Sequence, residues 1–124
     1  MSEKIYTNAA PEPIGPYSQG IRAGAVCYLS GQVPIDPATG DLVSGGIAEQ
    51  TEQVCKNVKA LLEEAGGTME SVVKAGCYLQ SMGDFAAFNE VYARYFTVEP
   101  ARFCVEVAAL PKGALVEIET TAVI

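Results

Sequence analysis

The residues best suited to chemistry lie in the last quarter of the chain. Arg102, Cys104 and Glu106 alternate with apolar residues along positions 100–108, which is the period of two of a half-buried strand. A planar guanidinium can grip a carboxylate through two parallel hydrogen bonds, which lysine cannot reproduce. Arg102 is therefore the first candidate for binding an anion, and the alternative is a structural salt bridge to Glu106 or Glu119.

Two carboxylates follow in the run from 114 to 124. Glu117 and Glu119 alternate there with Val116 and Ile118, so they belong to the polar side of a second strand. A carboxylate can orient a water molecule and move its protons, and such help is typically worth about 10²–10⁴-fold in rate. Parity does not choose between Glu117 and Glu119. Together the two strands predict one face carrying a guanidinium, a thiol and two carboxylates, which would suit a small anion.

Composition excludes several kinds of site. The chain has no His, which removes His-based triads and His-containing zinc sites. The four cysteines form no CxxC pair, so we expect reduced thiols and no metal site. The net charge of −7, with eight scattered Lys and Arg residues, disfavours binding to nucleic acid.

Length and hydropathy bound the class of protein. A chain of 124 residues that is 49% hydrophobic is sized for one domain with its own core. Its apolar runs are too short to span a bilayer. The N-terminal sequence lacks the basic flank and apolar segment of a secretory signal. We therefore expect a cytoplasmic protein with no membrane association.

Hydrophobic periodicity predicts the order β-β-β-α-β-α-β-β. The first helix covers Ile47–Ala65 and stops at Gly66-Gly67, and Asp84 caps a second helix with an aromatic stripe assigned to the core. Two amphipathic helices need a sheet face to cover, which predicts an α+β two-layer domain whose other face meets a partner. The strands are predicted at residues 4–7, 19–23, 26–33, 72–80, 100–108 and 114–124.

The pairing of the last two strands is open. Leu110-Pro111-Lys112-Gly113 has Pro and Gly where a type I turn prefers them, which favours a hairpin. A direct four-residue turn would set Glu106 opposite Glu117, and like charges facing each other across strands are unfavourable.

Three separated motifs resemble one protein family. In their order and spacing they resemble the Rid proteins, the reactive-intermediate (enamine/imine) deaminases, and most closely the RidA subfamily. The resemblance covers nearly the whole chain and implies one Rid-type (endoribonuclease L-PSP-like) domain over residues 1–124. The motifs are Ile14-Gly15-Pro16-Tyr17-Ser18-Gln19-Gly20, Leu29-Ser30-Gly31-Gln32, and Pro100-Ala101-Arg102-Phe103-Cys104-Val105-Glu106-Val107, the last followed by Leu110-Pro111-Lys112-Gly113 and Val116-Glu117-Ile118-Glu119.

The resemblance also implies a fold and an assembly. The fold would be chorismate-mutase-like, with a mixed six-stranded sheet, two helices on one face and the final strand inserted in the centre of the sheet. The assembly would be a homotrimer with ligand clefts between subunits. The chain would need no cofactor, because pyridoxal-phosphate dehydratases release the reactive imines.

The site residues follow from the same resemblance. Arg102 would anchor the substrate carboxylate, and Glu117 rather than Glu119 would position the attacking water. Without the resemblance, Tyr17 is an ordinary packing aromatic, and Cys104 is either a nucleophile or a small strand residue whose backbone contacts the ligand. The substrate-binding positions that the resemblance implies, besides Arg102, are Tyr17, Ser30, Gly31, Asn89 and Cys104, with Gly31 and Cys104 acting through the backbone.

The implied activity is hydrolysis of 2-aminoacrylate, 2-iminopropanoate and 2-iminobutanoate to 2-keto acids and ammonia. The alternative is a keto-acid-binding regulatory trimer without turnover. A ribonuclease or translation-inhibitor function is disfavoured by the acidic charge and the absence of His. The segment 96–100 is shorter than in some family members, which bears on substrate preference.

Overall fold

A mixed sheet of six strands carries two α-helices on one face in the computed structural model, which describes residues 2–124. Met1, the first residue of the predicted domain, lies outside the described residues. The predicted α+β fold is confirmed. The elements are β1 (Ser2–Ile5), β2 (Gly20–Ala23), β3 (Val26–Gln32), α1 (Ile47–Glu64), β4 (Val72–Leu79), α2 (Phe85–Tyr95), β5 (Ala101–Glu106) and β6 (Val116–Val123).

The last two strands do not form a hairpin. The sheet order is β1-β2-β3-β6-β4-β5, so β6 lies between β3 and β4, while β5 is an edge strand parallel to β4. Val116 and Ile118 are completely buried in β6, as expected of a central strand with one face on a core. The central insertion implied by the family resemblance is confirmed, and it keeps Glu106 away from Glu117.

The turn before β6 differs from the predicted type I turn. Residues Pro111–Gly113 form a short 3₁₀ turn in which Lys112 has a φ of 57°, whereas a type I turn keeps both central residues at negative φ. The Lys112 ammonium donates to the Gly40 carbonyl at 3.2 Å, and the Leu115 amide donates to the Gln50 side chain at 2.8 Å. Contacts with distant segments therefore set this turn.

The first strand begins earlier than its pattern predicted, at Ser2 rather than Lys4. It also ends earlier than the predicted Thr7, whose amide donates to the Gln19 side-chain oxygen at 2.8 Å and whose carbonyl accepts from the Gln19 amide group at 3.0 Å. Because a buried side chain satisfies the Thr7 backbone, the strand ends at Ile5.

The predicted helix boundaries agree with the structure at the end of α1 and only in part at the start of α2. Gly66, which follows the C-cap residue Ala65 of α1, has a φ of 90°, and the Gly67 amide donates to the Leu62 carbonyl at 2.9 Å, as in a glycine stop. Asp84 precedes α2 as predicted, but its side chain makes no capping hydrogen bond. The Ser81 hydroxyl instead accepts from the Gly83 amide at 3.2 Å in the preceding turn.

The core lies between the helices and one face of the sheet. The opposite face, which we call the open face, exposes Tyr28, Phe103, Val105 and Val123 and is not covered by either α-helix. In the part of the chain that the structure describes, no helix is long and apolar enough to cross a membrane. The largest buried core side chains include Val54, Val58, Leu61, Leu62, Leu79, Phe88, Phe96, Val116 and Ile118.

Candidate active site

Arg102 lies at the edge of the sheet, on the side of the helices. It pairs in register with Ala75, which is completely buried under the helix layer. Its Nη1 atom donates to Oδ1 of Asn89 in α2 at 2.7 Å. An amide oxygen is a neutral acceptor, so this bond fixes the guanidinium without cancelling its charge.

Aromatic rings lie under the same guanidinium. Its central carbon is 4.8 Å from the ring centroid of Tyr92, 5.6 Å from that of Phe85 and 6.0 Å from that of Phe88. These distances are within the range of cation–π attraction. The structural salt bridge to Glu106 or Glu119 considered from the sequence is not the observed arrangement. Glu106 accepts from the Met82 amide, and Glu119 lies on the other face of the sheet.

A cleft of about 480 Å³ opens beside Arg102. It contains two of the residues implied by the resemblance, Arg102 and Asn89, and the short segment before β5. The mixture of aromatic rings and a guanidinium suits a small molecule with a carboxylate and an apolar portion. The lining residues are Asn89, Tyr92, Ala93, Phe96, Thr97, Glu99, Pro100 and Arg102.

Glu117 lies on the open face, in a smaller cleft of about 190 Å³ that also contains Gly31, Tyr78 and Glu119. Burial raises the pKa of the Glu117 carboxyl, and the nearby charge of Glu119 raises it further. A carboxylate with a raised pKa accepts a proton from water more readily than an ordinary one. This position suits a general base.

Gly31 makes room for the Glu117 side chain. A Cβ atom added to Gly31 would lie 2.0 Å from Oε2 of Glu117, which is closer than two non-bonded atoms can approach. The pairing of β3 with β6 shifts register between Leu29 and Gln32. Such a shift marks a β-bulge, and Gly31 lies within it, next to the Glu117 carboxylate. Gly31 therefore allows the carboxylate to lie across β3.

Replacing Gly31 with Ala is expected to displace the Glu117 carboxylate and lower kcat/KM about 10²-fold, as displacements of about 1 Å in a site can do. The measurement is turnover of an imino acid, the substrate class that the family resemblance implies, with folding checked by circular dichroism. Gly46→Ala is the matched control, because its Cβ would lie 3.9 Å from the nearest side-chain atom. Full activity of the Gly31→Ala protein would contradict this account of Gly31.

The first two motifs are joined by hydrogen bonds. The Ser30 hydroxyl donates to the Ser18 carbonyl at 2.6 Å, and the Ser30 amide donates to the Gln19 carbonyl at 2.9 Å. Ser30 therefore holds one motif against the other in this structure. Tyr17 is about half exposed, and it lines a narrow space together with Gly31.

Cys104 pairs in register with Cys77, and it packs against the core from a half-buried position. Burial raises the pKa of the Cys104 thiol, and the nearby Arg102 charge opposes that rise only in part. A protonated thiol is a poor nucleophile. The arrangement therefore favours a structural or backbone role over covalent catalysis.

The predicted single face carrying all of these groups is wrong. Arg102 and Cys104 pair with the buried residues Ala75 and Cys77, so they lie on the helix side of the sheet. Glu117 and its neighbour Glu119 alternate with buried β6 residues and lie on the open face. The periodicity of each strand was correct, but β4 lies between the two strands and the register fixes their relative parity. Within one chain, the sheet separates the guanidinium from the carboxylates.

Sequence reasoning missed two neighbours of these groups. Tyr92 was assigned to the core, yet its ring also lies under Arg102. Tyr78 pairs in register with Glu117, and its ring packs edge-on against Phe103 with centroids 5.5 Å apart. Among residues 2–124, no cluster of His, Cys, Asp and Glu side chains could hold a metal ion.

Comparison with known proteins identifies relatives along almost the entire chain. The family model described as Endoribonuclease L-PSP matches residues 7–124. A RutC family protein of Pyrococcus horikoshii is 54% identical over 98% of this chain and 98% of that protein. The 2-iminobutanoate/2-iminopropanoate deaminase of Mus musculus is 47% identical over 96% of this chain and 89% of that protein. The crystal structure of RidA from the Antarctic bacterium Psychrobacter sp. PAMC 21119 has a TM-score of 0.95 and 45% identity, and the match covers 98% of this chain and 99% of that chain.

Proposed function

Because this chain belongs to the endoribonuclease L-PSP family, which includes Rid proteins, we propose that it is a hydrolytic deaminase of small 2-imino acids. Its substrates would be 2-aminoacrylate, 2-iminopropanoate and 2-iminobutanoate, and its products would be 2-keto acids and ammonia. One Rid-type domain over residues 1–124 would carry this activity without a cofactor.

The observation that carries the proposal is the environment of Arg102. Among residues 2–124, its guanidinium is held by Asn89 and by ring faces rather than by a carboxylate, and it borders the cleft of about 480 Å³. Such a cation has N–H groups left to bind the carboxylate of a 2-imino acid through a two-pronged contact. The net charge of −7 repels anions at long range, so a local cation is needed to hold the substrate.

Glu117 would supply the water. Its carboxylate takes a proton as water attacks the imine carbon, and the C=N bond becomes a C–N bond. The proton then passes to nitrogen. The new hydroxyl group gives up its own proton, which Glu117 transfers to the same nitrogen, and the C–N bond breaks so that ammonia leaves as the carbonyl forms. 2-Aminoacrylate would enter this sequence after tautomerising to 2-iminopropanoate. The backbone at Gly31 and Cys104, with the side chain of Tyr17, would orient the imine. The raised pKa of Glu117 supports this role.

Assembly would bring these two groups together. Arg102 and Glu117 lie on opposite sides of the sheet in one chain, and the open face exposes large apolar side chains. We propose a homotrimer in which each site takes Arg102 from one subunit and Glu117 from its neighbour. The exposed apolar surface would be covered in that assembly.

Mixing two inactive variants tests this arrangement. Arg102→Ala and Glu117→Gln proteins would be unfolded together and refolded. If each site combines two chains, about one third of the interfaces in a mixed trimer carry both intact residues, and activity returns. Refolding each variant alone is the control. A mixture as inactive as its components, with mixed trimers present by mass spectrometry, would contradict the shared site.

The activity itself is tested by coupling the protein to a purified serine or threonine dehydratase and following keto-acid formation. The proposal expects acceleration beyond spontaneous hydrolysis, lost in Arg102→Ala. Keto-acid binding without acceleration would instead support a regulatory trimer. A ribonuclease function is not favoured, despite the family's description, because the chain is acidic and has no His.

Replacing Glu119 with Gln is expected to move the acid limb of the pH–rate profile to lower pH. As pH falls through the raised pKa of Glu117, this carboxylate takes up a proton and can no longer act as a base. The Glu119 charge is the second cause of the raised pKa, so its removal lowers that pKa. The measurement is kcat/KM against pH, with the exposed Glu63→Gln as a charge-matched control. An acid limb that stays in place or moves to higher pH would contradict the coupling.

A further inference from the structure

One face of α2 surrounds the guanidinium of Arg102. Phe85, Phe88, Asn89 and Tyr92 follow the spacing i, i+3, i+4 and i+7, which places them on the same side of a helix. Phe88 and Tyr92 are buried, whereas Phe85 is only partly buried. This stripe therefore has two contacts, the core on one side and Arg102 on the other.

Tyr92 has the ring nearest to the guanidinium, at 4.8 Å. Its position is fixed from behind by Phe96, whose ring stacks on it with centroids 4.2 Å apart and planes inclined by 14°. Phe88 contacts it from the preceding turn, with centroids 5.5 Å apart. A ring that is 7% exposed and packed in this way has little freedom to move.

The hydroxyl of Tyr92 does not explain its placement. This oxygen is buried and has no hydrogen-bond partner among residues 2–124. Burial is the main reason why the pKa of Tyr92 is raised, so the group stays neutral. The contact with Arg102 is made by the face of the ring, and a phenylalanine ring would present a similar face.

We propose that Tyr92 is a positioning residue for the carboxylate anchor, because its ring holds the Arg102 guanidinium while Asn89 sets its rotation. This inference rests on the proposed role of Arg102 in binding the substrate carboxylate. The ring attracts the cation without neutralising it, so the charge stays available to a ligand. Binding then avoids part of the entropy cost of ordering a long side chain.

The matched variants are Tyr92→Phe, Tyr92→Leu and Tyr95→Leu. Tyr95 is on the same helix, is partly buried and bonds to Glu52, and it does not line the cleft beside Arg102. Tyr92→Phe should bind pyruvate within about twofold of the wild-type affinity, and Tyr92→Leu should bind it about tenfold more weakly. KM for the imino acid should rise in Tyr92→Leu by a similar factor, with a smaller change in kcat. Tyr95→Leu should change neither affinity nor KM.

A spectroscopic measurement tests the contact without relying on a destabilised variant. The Nε–H proton of Arg102, assigned by its loss in Arg102→Lys, should be shifted upfield by the ring current in the wild-type protein and in Tyr92→Phe. It should return towards the shift of an exposed arginine in Tyr92→Leu. An unshifted wild-type signal would overturn the proposal.

The outcomes separate this inference from the function on which it rests. If Arg102→Lys binds pyruvate as tightly as the wild type, the anchor itself is wrong. If Arg102→Lys binds weakly while Tyr92→Leu loses the upfield shift and keeps wild-type affinity and KM, the anchor stands and the positioning role of Tyr92 is overturned.

Discussion

Replacing Glu117 with Gln is expected to lower the turnover of 2-iminopropanoate by about 10²–10⁴-fold, while pyruvate binding changes little. The substitution keeps the volume of the side chain and removes the base that would accept a proton from water. It also removes the carboxylate whose pKa burial and Glu119 raise. Turnover is measured in the dehydratase-coupled assay, and pyruvate binding is measured by calorimetry.

Glu119→Gln is the matched control for this prediction, because Glu119 lines the same cleft. It is expected to keep turnover near neutral pH and to change only the pH profile. If Glu119→Gln were inactive and Glu117→Gln active, the roles of the two carboxylates would be exchanged. If Glu117→Gln lost pyruvate binding together with turnover, Glu117 would belong to the binding site and the water would need another base.

Replacing Arg102 with Lys should lower kcat/KM about 10²-fold, even though the charge is kept. Lysine cannot form the two parallel bonds to a carboxylate, and its ammonium lacks the flat surface that lies against the Tyr92 ring. It would also alter the bond to Asn89. A hydrogen bond to a charged group typically contributes about 1.5–3 kcal/mol, and the loss of one of the two bonds would account for a change of this size.

The control is Arg94→Lys, which makes the same change on α2 in a different groove, lined by residues such as Glu52 and Glu90. It should retain wild-type kcat/KM. Wild-type turnover in Arg102→Lys would show that a point charge is sufficient, and the two-pronged anchor would be wrong. A loss confined to kcat, with unchanged affinity for pyruvate, would move Arg102 from binding to the chemical step.

Local patterns predicted most of the fold. The apolar stripe of α1 and its glycine stop, and the alternation within β6, needed only neighbouring residues, and all are present. In the edge strand β5 the apolar residues Phe103 and Val105 are exposed, so the half-buried pattern predicted there is wrong. The central position of β6 came from the resemblance of the motifs. The like charges of Glu106 and Glu117 disfavoured a hairpin between β5 and β6, but local patterns did not identify which strand would lie beside β6.

The site was harder to predict because it depends on register between distant strands. Alternation divides the side chains of one strand between two faces. It does not show which of these faces lies on the same side of the sheet as a given face of another strand. The error that grouped Arg102 with Glu117 has this origin. Tyr92 illustrates a second limit, since a helical stripe predicts burial and does not reveal a cation on its far edge. The φ of Lys112 depends on tertiary contacts in the same way.

The burial of the thiols limits the covalent reaction of this protein with electrophilic compounds. Imines are electrophilic, and the protein groups that attack them most readily are thiolates and unprotonated amines or imidazoles. Cys27, Cys55 and Cys77 are completely buried, burial raises the pKa of Cys77 to about 12, and the chain has no His. Cys104, which is half-buried, also has a raised pKa. The chain thus offers few nucleophiles to the compounds that it is proposed to hydrolyse, which favours resistance to self-inactivation.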